Sequence, residues 1–326
     1  MFIRDALKNN KVTGVLYKGL KQFRDNKRKR KKYRYHGSFQ DRSKGADKLV
    51  IILAGYKPFL YDSVFGRIIQ FVPKDYDVCV VSSGLYSEKL DCICKGNNWS
   101  YLSTKENNVG LVQNVAVSLH KHAKYIFKLD EDIFVTKGFF DTLYQALIRT
   151  KKSDYNPGFI APLININGFT YRVILDEYGL VKEYENRFEK SIIAAGQDRM
   201  IQNSSEVAKF MWGDGGVVPH IDELNDHFMK KDKKVIPCPI RFSIGAILFE
   251  RSMFKKFGGY SVNLTYNSLG KDEEELCSYC LLQSRPAMIC CNSVVGHFSF
   301  GSQTEEMKDY YNNNPDSFKI GSEICN

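Results

Sequence analysis

Three consecutive acids follow a short apolar segment near the middle of the chain. Residues 125–129 have the pattern of a strand, and Asp130, Glu131 and Asp132 come directly after it. Carboxylates this close repel one another, so a positive charge is expected among them, and a hard divalent cation with oxygen ligands is the usual one. Such an ion is often shared with substrate phosphates. The three residues taken alone also fit a solvated acidic turn.

Composition limits the classes of protein to consider. The chain has 326 residues, 43% hydrophobic and 26% charged, which is typical of a globular protein with one large domain or two smaller ones. It has no run of eighteen apolar residues and no pattern of a secretory signal, so we expect neither a transmembrane helix nor export. The nine cysteines are an odd number, with several in apolar runs, which favours reduced thiols in a cytoplasm.

The basic residues are concentrated at one end. Residues 1–34 contain thirteen Lys or Arg and two Asp, whereas the remaining chain has 34 basic and 35 acidic residues. Apolar residues at loosely helical spacing precede the basic run 27–34, so residues 1–45 are interpreted as an amphipathic basic arm. Such an arm suits the anionic inner face of a cell membrane. A solvated helix with a charged linker, a nuclear signal or an RNA-binding arm would share this pattern.

The body has the rhythm of an α/β fold. Apolar strand patterns alternate with helical patterns about every twenty residues, which predicts parallel strands joined by crossover helices. The strands are predicted at 49–54, 77–81, 125–129 and 158–163, and the helices at 59–71, 109–122 and 138–149. Because ligands bind at the carboxyl ends of such strands, Ser82-Ser83-Gly84 and the three acids are expected to face one crevice.

Residues 165–240 interrupt this rhythm. They are polar and contain a Gly/Trp cluster, so we interpret them as an insertion of short helices and loops over the crevice. Trp212 could stack on a sugar ring or belong to a local core, and Asp214 could hold a hydroxyl group or act as a base.

The order of motifs along the body resembles the GT-A-fold glycosyltransferases, in particular the large inverting family that builds bacterial surface polysaccharides. The resemblance extends from about Asp47 to Phe300, apart from 165–240. It is carried by an apolar opening strand and by the segments 108–114, 125–132, 243–260, 270–277 and 294–297. It implies a GT-A, Rossmann-like sheet that is mixed but mostly parallel, flanked by helices, in a catalytic domain at 46–305 with a tail at 306–326.

The resemblance also implies a donor site. Asp132 would ligate Mn²⁺ or Mg²⁺, Asp130 would contact the ribose or a metal-bound water, and His297 would complete the metal site. The donor would be a nucleotide-sugar, with a UDP-sugar as the first choice. Further nucleotide contacts are predicted at the residues Lys57, Gln113, Asn114 and Glu131.

The acid-rich segment 270–277 resembles the part of the family that supplies the catalytic base. The match places Glu273 at the base position and Asp272 at the acid before it, but the family order is Glu-Asp, so the choice between the two stays open. Ser82-Ser83 stands where the family has an acid for the nucleobase. The acceptor would be the hydroxyl of a saccharide or of a lipid-linked glycan, bound partly by 165–240.

Other functions remain as alternatives. A nucleotidyltransferase would carry a Gly-rich basic signature after the first strand, and Gly55-Tyr56-Lys57-Pro58 is a poor version of it. A glycan-binding module would explain Trp212 but not the ordered acids and histidine. A nucleic-acid-binding protein could use the basic arm, yet the near-neutral body argues against that class.

Overall fold

One mixed sheet organises the body. A computed structural model describes residues 32–196, 198–262 and 270–321, so the predicted helix within 1–31 lies outside the described residues. The described strands are β1 (Gly37–Gln40), β2 (Lys48–Leu53), β3 (Asp77–Ser83), β4 (Ser100–Thr104), β5 (Tyr125–Asp130), β6 (Ile133–Phe134), β7 (Phe159–Ile164), β8 (Val235–Pro237), β9 (Ala246–Glu250) and β10 (Ala287–His297).

The strand order is β1-β4-β3-β2-β5-β9-β7-β10-β6, and β8 also pairs with β10. Strands β2, β3, β4 and β5 are mutually parallel. The antiparallel strand β9 connects them to β7 and β10, which are parallel to each other. Six of these ten strands therefore share one direction, and the predicted α/β architecture with a mixed, mostly parallel sheet is confirmed.

Helices cover both faces of this sheet. Their bounds are α1 (Tyr61–Phe71), α2 (Glu88–Gly96), α3 (Val109–Leu119), α4 (Phe139–Thr150), α5 (Thr170–Glu177), α6 (Val181–Arg187), α7 (Met200–Asn203), α8 (Ser205–Met211), α9 (Ile221–Met229), α10 (Arg251–Phe257), α11 (Lys271–Leu282) and α12 (Thr304–Asn313). Strand β3 is buried along its whole length, which explains its continuous apolar run. Among the described residues, no helix is both long and apolar enough to cross a bilayer.

The insertion packs against the half of the sheet that contains β7 and β10. Helix α5 contacts β7, α9 contacts β10, and α8 contacts α12 near the end of the chain. Phe318, which follows α12, is fully buried against Trp212 and Phe298. Residues 304–318 and the insertion therefore form one layer behind the end of β10.

Candidate active site

A cavity of about 700 Å³ opens where the parallel strands end, which is a volume typical of small-molecule sites. Its walls come from segments far apart in the sequence. They are 53, 54, 56 and 57 at and after the end of β2, 81 and 83 in β3, 107–110 at the start of α3, 128 and 130–132 around the end of β5, 243–245 before β9, 260–261, 270–273 and 275 at the start of α11, and residues between 297 and 301 after β10. The strand-end crevice expected from the sequence is thus present.

The three acids at the end of β5 have three different partners. Asp130 Oδ1 lies 2.7 Å from the Nζ atom of Lys128, which also donates to the Ile244 carbonyl oxygen. Glu131 accepts hydrogen bonds from the backbone N–H groups of Gly55 (2.8 Å) and Tyr56 (3.0 Å). Only Asp132 directs its carboxylate at side chains that could work together with a metal.

Asp132 is ionised in a buried setting. Burial opposes ionisation, but the Lys57 ammonium and the His297 ring outweigh it and hold the pKa of Asp132 well below its usual range. Lys57 forms an ion pair with Oδ2 of Asp132, and His297 Nε2 lies 3.6 Å from the same oxygen. Burial lowers the pKa of Lys57, but Asp132 and the two acids before it raise it by a larger amount, so the lysine stays charged.

The backbone around His297 orients its ring. Nδ1 lies 3.3 Å from the Ile166 carbonyl oxygen, and the His297 N–H donates to Asn165 Oδ1 at 2.8 Å. Since a carbonyl oxygen only accepts, Nδ1 carries a proton, and Nε2 is the ring nitrogen that faces Asp132. A carbonyl behind a histidine in this way is the usual support for a metal-binding imidazole.

These residues fit a divalent cation that is completed by substrate. Asp132 and His297 offer an oxygen and a nitrogen that converge on one place, and the contact of Lys57 there shows that a cation is stabilised. No group of three or more Asp, Glu, His or Cys side chains within the described ranges is arranged to hold a metal. Such an ion would therefore take its remaining ligands from phosphate oxygens or water, which Mg²⁺ commonly does.

The other wall of the cavity carries the second pair of acids. Gly270, in the left-handed conformation at φ 81°, precedes helix α11, whose first turn contains Asp272 and Glu273. Asp272 accepts a 2.9 Å hydrogen bond from Gln113, and Glu273 lies 3.0 Å from Arg241. Burial raises the pKa of Glu273 to about 7, with Arg241 opposing the shift and Asp272 adding to it. A carboxyl group in this range suits proton transfer near neutral pH.

Three of the predicted nucleotide contacts have internal roles. Gln113 is buried outside the cavity wall and holds Asp272. Asn114 is fully buried, and its amide bonds to both the N–H and the carbonyl of Tyr260 at 2.9 Å. Glu131 lines the cavity, but its carboxylate is occupied by the loop after β2. The predictions for Gln113 and Asn114 are corrected because both side chains are buried away from the cavity wall and already bond within the protein. The contact predicted for Glu131 stays a prediction.

The predicted acceptor residues also lie elsewhere. Trp212 is only 2% exposed, and its Nε1–H donates to the carbonyl oxygens of His297 (3.0 Å) and Phe298 (3.3 Å). It packs against Phe134 and Phe318, so no sugar can stack on it. Asp214 is exposed on a short turn outside the cavity wall. None of the described residues in 165–240 lines the cavity, so the insertion lies behind the site and does not cover it.

Two charged residues of the site were missed by the sequence analysis. Lys128, which pairs with Asp130, is a charged residue within an otherwise apolar strand, and that contrast is a usable signal. Arg241, which pairs with Glu273, stands in a polar segment with nothing in the local sequence to mark it. Both supply positive charge among the acids of the cavity.

Comparison with known proteins gives similar solved structures at low sequence identity. No protein-family model matches this chain, and no curated protein does. Similar solved structures include a mannosyltransferase from Pyrobaculum calidifontis in complex with GDP-Man and Mn²⁺, with a TM-score of 0.45, 14% identity and coverage of 85% of this chain and 63% of that one. They also include TarS 1–349 from S. aureus in complex with UDP-GlcNAc, with a TM-score of 0.31, 14% identity and coverage of 36% and 34%.

This chain thus spans less than two thirds of the first of those structures and about one third of the second.

Proposed function

We propose that this chain is a metal-dependent glycosyltransferase, which moves a sugar from a nucleotide-sugar to an acceptor hydroxyl with inversion. One observation carries the proposal: a single strand-end cavity places two carboxylates in opposite environments. Asp132 is held ionised beside Lys57 and His297, whereas the pKa of Glu273 is raised to about 7. The first environment suits the anionic leaving group and its counter-charge, and the second suits a base.

At the donor end, Asp132 and His297 would hold Mn²⁺ or Mg²⁺. Such an ion supplies positive charge that stabilises a diphosphate leaving group. Lys57 lies at the same place and can contact a phosphate oxygen, while Asp130, which lines the cavity, is our candidate for the ribose or a metal-bound water. These residues bind and orient the donor with its anomeric carbon towards α11.

At the acceptor end, Glu273 takes the proton from the attacking hydroxyl group. The acceptor oxygen bonds to the anomeric carbon, the bond from that carbon to the diphosphate oxygen breaks, and the nucleoside diphosphate leaves. A single displacement of this kind inverts the anomeric configuration. Asp272, fixed by Gln113, lies beside the base and raises its pKa, so we assign Glu273 rather than Asp272 as the base.

We take a UDP-sugar as the first candidate donor. Tyr56, Ser83 and Asn107 line the cavity near β3, and Ser83 Oγ lies 3.4 Å from Asn107 Oδ1. The hydroxyl and the amide replace the carboxylate that the resemblance places there for the nucleobase. We take a saccharide or a lipid-linked glycan as the acceptor, bound near residues 243–245 and 299–301 of the wall.

Thermal shift and donor hydrolysis across a panel of nucleoside diphosphates and nucleotide-sugars test this proposal, with Mn²⁺, Mg²⁺ or EDTA. We expect one nucleoside diphosphate to stabilise the protein only with metal, and Asp132→Ala to abolish that stabilisation. Asp214→Ala, which changes an exposed acid outside the cavity, is the matched control and should respond as wild type. A chain that responds to no nucleotide under any of these conditions would contradict the proposal.

We also propose that the protein works at the cytoplasmic face of an anionic membrane. Helix α11 begins at the cavity and ends with Leu281 and Leu282, whose exposed fractions are 80% and 78%. The ring of Tyr279, in the last turn, contacts Phe257, which follows the exposed Lys255 and Lys256. Adjacent apolar and basic groups suit an anionic bilayer surface.

The basic arm joins the body at this same place. Lys32 Nζ donates to the carbonyl oxygens of Gly258 (3.0 Å) and Gly259 (2.6 Å), directly after α10. Since α11 has twelve residues, its two ends are about 18 Å apart, and a bilayer at Leu281 leaves the cavity accessible.

Co-sedimentation with vesicles of phosphatidylglycerol and phosphatidylcholine tests the membrane proposal. Leu281→Ser with Leu282→Ser should weaken binding, as should Gln at the basic positions 27–31. The matched control is Ile192→Ser with Ile193→Ser, which changes another exposed apolar pair (41% each) and should bind as wild type. Equal binding by all variants, or none by wild type, would overturn it.

A further inference from the structure

The contact between Lys57 and Asp132 uses the oxygen that a metal ion would need. Lys57 pairs with Asp132 Oδ2, and this is the oxygen that lies 3.6 Å from His297 Nε2. The side chain of Asp132 is 8% exposed and that of Lys57 is 21% exposed, so water screens their attraction poorly. A divalent cation and the lysine ammonium therefore compete for one buried carboxylate.

The backbone that carries Lys57 is held by hydrogen bonds on both sides. Glu131 accepts from the N–H groups of Gly55 and Tyr56, and Leu60 N–H donates to the Lys57 carbonyl at 3.0 Å. The loop after β2 is thereby tied to the acid next to Asp132. A lysine has a flexible four-carbon stem, so its ammonium can change partners while the loop stays in place.

We propose that Lys57 is an exchangeable counter-ion: it neutralises Asp132 before the donor binds and turns to the donor diphosphate when metal arrives. The inference rests on the proposed function. Metal alone would put a second cation against a carboxylate that Lys57 already neutralises, and like charges in a buried site are costly. The diphosphate brings the negative charge that gives Lys57 a new partner. Metal and nucleotide should therefore bind together, and metal alone should bind weakly.

The test measures Mn²⁺ binding by the loss of the free-ion electron paramagnetic resonance signal, using the full chain without nucleotide. Lys57→Met keeps length and flexibility but removes the charge, so it should bind Mn²⁺ alone about tenfold more tightly than wild type. Lys57→Arg keeps the charge and should bind Mn²⁺ as weakly as wild type. In the presence of Mn²⁺, Lys57→Met should bind the nucleoside diphosphate less tightly than wild type, by calorimetry.

Two outcomes separate this inference from the proposed function. If wild type binds Mn²⁺ together with a nucleoside diphosphate but Lys57→Met binds Mn²⁺ alone no better than wild type, Lys57 is not a competing counter-ion and the inference is overturned. If no variant binds Mn²⁺ with or without nucleotide, the metal-dependent function itself fails and the inference with it. A circular-dichroism melt of each variant shows whether it is folded. If Lys57→Met is not folded, Mn²⁺ binding is compared between Lys57→Arg and wild type.

Discussion

Asp132 and Glu273 are two carboxylates on the wall of one cavity, and their surroundings act in opposite directions. Asp132 has a lysine in direct contact and a histidine close by, so its pKa is lowered in spite of burial. Glu273 is paired with Arg241, whose side chain is 42% exposed, and it also has a hydrogen bond to the Ile244 backbone, but burial outweighs both and raises its pKa to about 7. The difference teaches that position in a pocket does not set the role of an acid; the charge facing it does.

The largest effect on activity is expected when the ionised carboxylate, Asp132, is removed. Asp132→Ala deletes the carboxylate that Lys57 and His297 share, so the donor end loses its fixed negative charge. We expect donor turnover to fall by about 10³-fold, the upper range for loss of one transition-state stabilising group. Turnover is measured as release of nucleoside diphosphate. A fall of less than a few-fold would remove Asp132 from the mechanism.

Removing the second carboxylate should separate binding from chemistry. Glu273→Gln keeps the shape of the side chain but cannot accept a proton, so turnover should fall by about 10²-fold. Metal-dependent nucleotide binding, measured by calorimetry, should stay as in wild type. Glu274→Gln is the matched control, because Glu274 is exposed on the same helical turn and also pairs with Arg241. If Asp272→Asn rather than Glu273→Gln causes this loss, the assignment of the base is reversed.

The pH dependence of activity tests the role of Glu273 while both Asp132 and Glu273 are kept. Glu273 must be deprotonated to act as the base, so activity should rise with pH through about 7 and fall below it. Arg241 lowers the pKa of Glu273, so Arg241→Met should move this limb of the profile to higher pH. The measurement is kcat against pH with donor at saturation. A limb that stays in place in Arg241→Met would show that another group controls it.

The position of the three acids at the mouth of a strand-end cavity could be predicted from the sequence, because the pattern that marks it is local. Asp130, Glu131 and Asp132 directly follow an apolar strand, and the predicted alternation of strands and helices placed that strand end at a crevice. The segment order also pointed to Glu273 and His297, which the structure brings to the same cavity.

The pairing of side chains could not be predicted, because it depends on register between distant segments. Leu53 of β2 pairs with Asp130 of β5, and this register places Lys57 beside Asp132 and the Gly55 N–H beside Glu131. A shift of one residue would have changed every one of these contacts. The bond from Gln113 to Asp272 likewise joins two helices 159 residues apart.

Trp212 shows the same limit in the insertion and gives the smallest expected effect. An indole in a polar, Gly-rich segment has the pattern of a sugar platform, but β10 runs behind it, and a Cβ atom at Gly296 would come within 2.4 Å of its ring. The indole N–H instead donates to the carbonyl oxygens of His297 and Phe298, so it supports the donor end from inside.

Trp212→Phe keeps most of the apolar packing and leaves the two buried carbonyl groups without this donor. We expect the free energy of unfolding to fall by about 1–3 kcal/mol, the cost of an unsatisfied buried polar group. Chemical denaturation measures that loss. Because His297 belongs to the proposed donor site, Mn²⁺-dependent nucleotide binding should weaken, whereas the pH limb assigned to Glu273 should stay in place. A sugar-platform role predicts the reverse, a weaker acceptor interaction with unchanged stability and metal dependence.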